Sequence, residues 1–393
     1  MPTTIDATGG GTRTRVGICG VGAVSGYGWG RKRLWDGLVS GESAVVPRSG
    51  YERVLGHDVA YAALVSDEGP DGMSRFAGAL TGAVDEAVQD ALDRGWRPGP
   101  NVGLIHAVVL GEVDGWHDFW TVNGGHVRRR QYLSLMPSTP LVAVMQQHDF
   151  HGPTMAVTAM CASGNAAALT AKLWLDAGVA SDVVVVATDI SARPENMRAF
   201  VELGAAVVDA PALDVCRPFQ EGSRGFIGGE ASIAFVMSSG GAPYLRLAGG
   251  AMTNDGFHPI AIQPDLTQVR RAFDGALTDA GVSPLDVVYV NAHGTGTAQC
   301  DAAEAHILDT VFTEAVGIYS TKPLTGHCQA ASSAIELAAT CMAYETGIIP
   351  ASPRVAPGHP RLLDGPTLRQ PGITVKSSIG MGGHNAVVVL TEP

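Results

Sequence analysis

The chain lacks the features that mark several broad classes of protein. Its six cysteines, Cys19, Cys161, Cys216, Cys300, Cys328 and Cys341, include no C-x-x-C pair, so neither a zinc site nor a disulfide framework is suggested and most should be buried reduced thiols. No apolar run approaches the ~20 residues that span a bilayer. The first residues, MPTTIDATGGGTRT, lack the charged-then-apolar layout of a signal peptide. The expectation is a cytoplasmic protein with no membrane partner. Charged residues make up only 16% and leave a formal net charge of −12, which argues against nucleic acid as a partner. Arg128-Arg129-Arg130 is a local exception, read either as a solvated loop or as a dock for an acidic partner.

What is present suits an enzyme. A chain of 393 residues that is 46% hydrophobic can bury a large core, and its 50 glycines show no collagen-like period. Apolar runs of strand length at 16–21, 102–110, 183–187, 233–237 and 287–290 alternate with helical patterns, which predicts an α/β fold. The spacing of Phe76, Leu80, Val84, Val88 and Leu92 predicts a helix over 73–94, stopped by Gly95. Two alanine-rich stretches, 161–178 and 327–344, carry almost no charge and so should form helices at the centre of the molecule, each beginning at a candidate catalytic residue. The turn-rich stretch 238–243 divides two segments of similar alternation, giving halves of 1–240 and 241–393, although a surface hairpin would read the same way.

Four segments carry chemistry. In TAMCASGN, Cys161 opens a helix, where the dipole favours thiolate and small neighbours leave access, although a lone cysteine there also reads as a buried thiol. NAHGTGT puts His293 at a strand end with Thr295 and Thr297 beside it, or else is a glycine turn with a structural histidine. In STKPLTGH, Lys322 precedes His327, and Glu336 lies about two and a half turns into the helix that follows. A carboxylate there needs a partner, and Lys322 is the nearest plausible cation. SSIGMGGHN supplies Gly380, Met381, Gly382 and Gly383, a loop with exposed N–H groups that can form half of an oxyanion hole and has no phosphate-loop pattern.

The order and spacing of these motifs resemble the β-ketoacyl synthase family of the thiolase superfamily. So do VGICGVGAVSGYG, GLVSGESAV, MPST, GPTMAVTAMCASG and RPFQEGSRGFIGGEAS elsewhere in the chain. The resemblance implies a thiolase fold, two similar α/β halves in five αβαβα layers. It implies Cys161 as acyl-accepting nucleophile, His293 and His327 as its partners, and Lys322 and Glu336 as supporting residues. The N–H groups of Cys161 and Met381 would form the oxyanion hole, with Met381 at the acyl gate. Thr295, Thr297, Gly380, Gly382 and Gly383 are the expected substrate-binding residues.

The implied reaction is decarboxylative condensation of a Cys-bound acyl group with a malonyl thioester on acyl carrier protein, with no cofactor or metal. Arg129 and Arg130 fall where family members carry basic residues thought to meet that carrier, and the resemblance implies a homodimer or a ketosynthase heterodimer. His327 favours an elongating enzyme, because initiating relatives have asparagine there and thiolases have a second catalytic cysteine. Met160, Ser223-Arg224-Gly225, Ile379 and Met381 depart from the family pattern. They bear on substrate identity and point to specialised polyketide or unusual acyl assembly. Acyl transfer without condensation and a non-catalytic partner subunit are the alternatives, the latter opposed by an intact Cys161 and both histidines.

Overall fold

Valine-rich segments such as 183–187 have no polar face to offer water, so they form strands covered on both sides. The computed structural model describes residues 15–51, 56–57, 59–67, 69–70, 72–126, 128–368 and 372–393; the amino-terminal stretch read for a targeting signal lies outside them. The first half contains β1 (Gly17–Ser25), α1 (Arg75–Asp93), β2 (Val102–Ala107), β3 (Thr154–Val157), α2 (Ser163–Asp176), β4 (Asp182–Asp189) and β5 (Ala231–Ser238). Residues 239–244 lead into β6 (Leu245–Asn254), α3 (Thr267–Ala280), β7 (Tyr289–Asn291), α4 (Ala298–Val311), β8 (Gly317–Tyr319), α5 (Ser332–Thr346), β9 (Thr374–Gly380) and β10 (His384–Thr391).

The two halves repeat one topology. Strands run in the order β3-β2-β4-β5-β1 in the first and β8-β7-β9-β10-β6 in the second. In each, the first three are parallel and the last two antiparallel. A short antiparallel contact, Gly17 opposite Arg246 and Ile18 opposite Leu245, joins β1 to β6. Helix α1 covers β1, β4 and β5 on one outer face, and α3 covers β6 and β10 on the other. Between the sheets lie α2 and α5, each touching strands of both halves, which completes the expected five layers of the thiolase fold.

These two middle helices are buried nearly all round, as their composition predicts. They cross where Gly164 meets α5, because a Cβ on Gly164 would come within 2.6 Å of the Ala334 nitrogen. Neither begins on its candidate catalytic residue. Cys161 sits in a single 3₁₀ turn, Met160–Ala162, before α2, and a matching turn, Gln329–Ala331, separates His327 from α5. The reason is backbone geometry: Met160 and Gln329 have φ of 50° and 43°, which no continuous right-handed helix accommodates. The run 102–110 is strand only as far as Ala107, and the helix of 73–94 ends at Asp93, with Gly95 in a left-handed turn at φ 85°.

Candidate active site

Parallel strands present their carboxyl ends to one edge of the sheet, and both halves do so toward the middle layer. From the first half comes Cys161, on the turn between β3 and α2; from the second come His293, just beyond β7, and Lys322 and His327, between β8 and α5. The thiol of Cys161 and a ring nitrogen from each histidine all lie within 4.8 Å of one another. Together they line a cavity of about 260 Å3 with Phe226, Thr295, Gln329 and Met381.

Donors behind the two rings fix which nitrogen of each carries the proton. The Lys322 ammonium donates to His293 Nδ1 at 3.2 Å and also to the His293 carbonyl oxygen. The Gln329 N–H donates to His327 Nδ1 at 3.1 Å, and the Ser332 hydroxyl lies 3.0 Å from the same atom. Burial holds both imidazoles well below the usual histidine range, and the Lys322 charge adds to the effect at each. Both rings are therefore neutral, with Nδ1 accepting and the proton on Nε2. His293 Nε2 has no hydrogen-bond partner among the described residues, so its N–H is free for a ligand.

A thiol with two imidazoles is also a plausible donor set for zinc. Metal-bound histidines, however, donate their far N–H to an acceptor. Here donors occupy the far nitrogens and keep the near ones protonated, which suits a developing anion rather than a cation.

Lys322 is held in turn by Glu336, as its burial requires. Its Nζ lies 2.5 Å from Glu336 Oε1, while Lys376 Nζ lies 2.8 Å from Oε2. Burial pulls Lys322 down, but the Glu336 carboxylate more than restores it, so Lys322 is held above its usual range; burial leaves Lys376 below its own.

Sequence reasoning missed Lys376, whose signal was a lysine inside the otherwise uncharged run 374–380. It also missed Glu304 and Asp301. Glu304 accepts from the N–H groups of His293 at 2.9 Å and Gly294 at 2.8 Å and so fixes the histidine loop. Asp301, pushed up to about 7 by burial, accepts from Phe219 and Gly296 N–H groups. Their signal was helical spacing that places both on the apolar face of α4 with Ile307 and Leu308.

The thiolate expected at Cys161 is not the resting form. Burial pushes its pKa up to about 11, against the opposing pull of Lys322 and of the Met381 and Cys161 N–H groups. Those two N–H groups converge on the sulfur. Gly380 allows this closeness, since a Cβ there would lie 3.0 Å from the Ala159 oxygen and 3.3 Å from the Cys161 nitrogen. Thr295 and Thr297 line the cavity, their hydroxyls 2.8 Å apart, and Gly380 lines it as well. Gly382 and Gly383 turn the chain just behind it with φ of 77° and 75°. Arg129 and Arg130 stand exposed on a separate short helix, Arg129–Ser134, and do not line the cavity.

Residues 13–240 match the family described as beta-ketoacyl synthase, N-terminal domain, and residues 244–356 match beta-ketoacyl synthase, C-terminal domain. The chain is 29% identical over 412 residues to nodulation protein E of Rhizobium meliloti (strain 1021), covering 96% of this chain and 99% of that protein. It is 28% identical over 424 residues to oxytetracycline polyketide putative beta-ketoacyl synthase 1 of Streptomyces rimosus, covering 96% and 97%. Among solved structures it resembles AntDE:AntF, a type II polyketide acyl-carrier protein in complex with its ketosynthase bound to the hexaketide. The TM-score is 0.86 at 24% identity, over 97% of this chain and all of that one. With both of the family's domains matched in order and its fold reproduced along nearly the whole length, the chain belongs to the β-ketoacyl synthase family.

Proposed function

We propose that the chain is an elongating β-ketoacyl synthase that condenses an acyl group on Cys161 with malonyl-acyl carrier protein, in specialised polyketide or unusual acyl assembly. The observation that carries this reading is the close set of Cys161, His293 and His327, with both neutral rings holding their proton on Nε2. Cys161 sulfur attacks the acyl thioester, its proton passes to the leaving carrier thiol, and the N–H groups of Cys161 and Met381 hold the oxyanion. The malonyl group then loses carbon dioxide. The resulting enolate oxygen accepts from the two Nε2–H groups while its carbon attacks the acyl-cysteine, and the expelled thiolate regains one proton.

Lys322 and Glu336 position His293, Met381 gates the acyl group, and Thr295 and Thr297 hold the substrate arm with the Gly380, Gly382 and Gly383 loop behind them. Arg129 and Arg130 are the proposed contact for the acidic carrier protein. The exposed edge strand β3 and the exposed Trp120 and Leu133 nearby in the chain support pairing as a homodimer or ketosynthase heterodimer. Halves at 1–240 and 241–393 would then supply the nucleophile and the histidines respectively. The proposed location is the cytoplasm; no described helix is long and apolar enough to cross a membrane. Intact-mass analysis with acyl-carrier proteins, then malonyl-carrier protein, tests the reading. An adduct on Cys161 that disappears as β-ketoacyl product forms is expected; an adduct that persists in the presence of malonyl-carrier protein would leave acyl transfer without condensation.

A further inference from the structure

One polar side chain in the cavity has no role in the chemistry above. Gln329 lines the cavity and is only 8% exposed, and among the described residues the hydrogen bond it donates is made by the backbone N–H, not by the carboxamide. Its backbone is already committed: the φ of 43° swings the Gln329 N–H onto His327 Nδ1. That duty belongs to the main chain and does not call for glutamine. A carboxamide that opens onto the cavity without bonding its neighbours is available to pair with an oxygen of the ligand.

The surroundings limit what that partner is. The cavity wall carries no lysine, arginine or carboxylate; Thr295 and Thr297 share their hydroxyls with each other, Gln299 is exposed, and Phe226, Ile379 and Met381 are apolar. A carboxamide among apolar groups matches a neutral oxygen, carbonyl or hydroxyl. The extender carboxylate is the poorer candidate, because a donor to the group that leaves as carbon dioxide would stabilise the ground state and slow its loss. We infer that Gln329 selects acyl groups bearing a carbonyl or hydroxyl oxygen close to the thioester, by hydrogen-bonding that oxygen once the chain is on Cys161.

The inference rests on the condensing reading, and one experiment separates the two. Acylation of Cys161 is timed by intact mass with hexanoyl and 3-oxohexanoyl N-acetylcysteamine thioesters, in the wild type and in Gln329→Leu. In the variant the ratio of the oxygenated to the saturated acylation rate should fall about three- to tenfold, the range a single neutral hydrogen bond spans, whatever change the two rates share. Gln329→Asn keeps a carboxamide on a residue that tolerates positive φ and should retain part of the preference. Gln329→Gly, which relieves the backbone, should behave like the leucine variant and stands in for it if that one does not fold. Equal effects on the two substrates in the leucine and glycine variants would overturn the role of Gln329 while leaving the condensing reading intact. No adduct in the wild type with either thioester would overturn both.

Discussion

The two middle helices are built alike and loaded differently. Each follows a parallel strand and a residue at positive φ, Met160 or Gln329, then a single 3₁₀ turn, and each starts on a serine, Ser163 or Ser332. Ser163 Oγ accepts from the Ala159 N–H at 2.8 Å, and Ser332 Oγ lies 3.0 Å from His327 Nδ1. Counted back from the serines, Cys161 and Ala330 are equivalent; counted forward, Ala167 corresponds to Glu336. The backbone device is thus present twice, but the first half carries the thiol and the second the histidines, the lysines and the carboxylate. A repeated fold provides the positions, and side chains alone separate the thiol from the imidazoles and the charged groups.

Moving the thiol from one half to the other tests this division most severely. Cys161→Ala should abolish the acyl-enzyme mass shift with the fold intact, since the change removes little volume. Cys161→Ala/Ala330→Cys should not restore it, although the thiol would again sit two residues before the helix. Ala330 does not line the cavity, and its N–H donates to the Asp189 carboxylate at 3.3 Å, a charge that opposes thiolate there. An adduct on the relocated thiol of that double variant would show that the turn alone suffices. Next in size, His293→Ala and His327→Ala should each lower malonyl decarboxylation by about 10²-fold or more, the range for lost anion-stabilising donors. Self-acylation should fall less, and equal losses in both half-reactions would contradict the division between halves.

A third test uses the pair Ala167 and Glu336. Both are fully buried, but Glu336→Ala would leave the Lys322 and Lys376 ammonium groups facing each other without their shared carboxylate. Removing one partner from a buried ion pair costs about 3–5 kcal/mol, to be read from urea unfolding. A loss under about 1 kcal/mol, the level of exposed pairs, would mean that the three groups are not coupled as their distances require.

These contrasts also explain what the sequence could reveal. The long strands were legible because segments such as 183–187 are apolar throughout, and the middle helices because alanine-rich stretches with almost no charge have no surface to face. Cys161, His293, Lys322 and His327 were legible because each lies in a short motif beside a strand end. Lys376 and Glu304 were not, since a single charge in a strand or helix says nothing of what faces it across the fold. The start of α2 was misplaced because a positive φ at a methionine leaves no mark in composition. The protonation of Cys161 depends on how far burial outweighs Lys322 and two N–H groups, a balance set by tertiary structure.

The smallest expected effect concerns two buried histidines, one from each half. His293 has Lys322 behind Nδ1 and faces the cavity with Nε2. His106, on β2, is fully buried against Phe76, and neither ring nitrogen has a partner among the described residues. Burial lowers its pKa from 6.5 to about 3, so between these values the unfolded chain binds a proton that the folded one does not. Stability contributed by neutral His106 is therefore present above pH 6.5 and lost as pH falls through the window toward 3. At about pH 5 the loss is about 2 kcal/mol, one and a half pH units at ~1.36 kcal/mol each. His106→Leu removes this dependence while keeping an apolar side chain in the site. Denaturant unfolding at pH 7.5 and pH 5 should show the wild type losing about 2 kcal/mol more than the variant, whatever the offset between them at pH 7.5. Every other group is common to both proteins and cancels in the difference. Equal losses would mean that His106 takes up its proton in the folded protein as readily as in the unfolded chain, and that its burial is relieved by water or local opening.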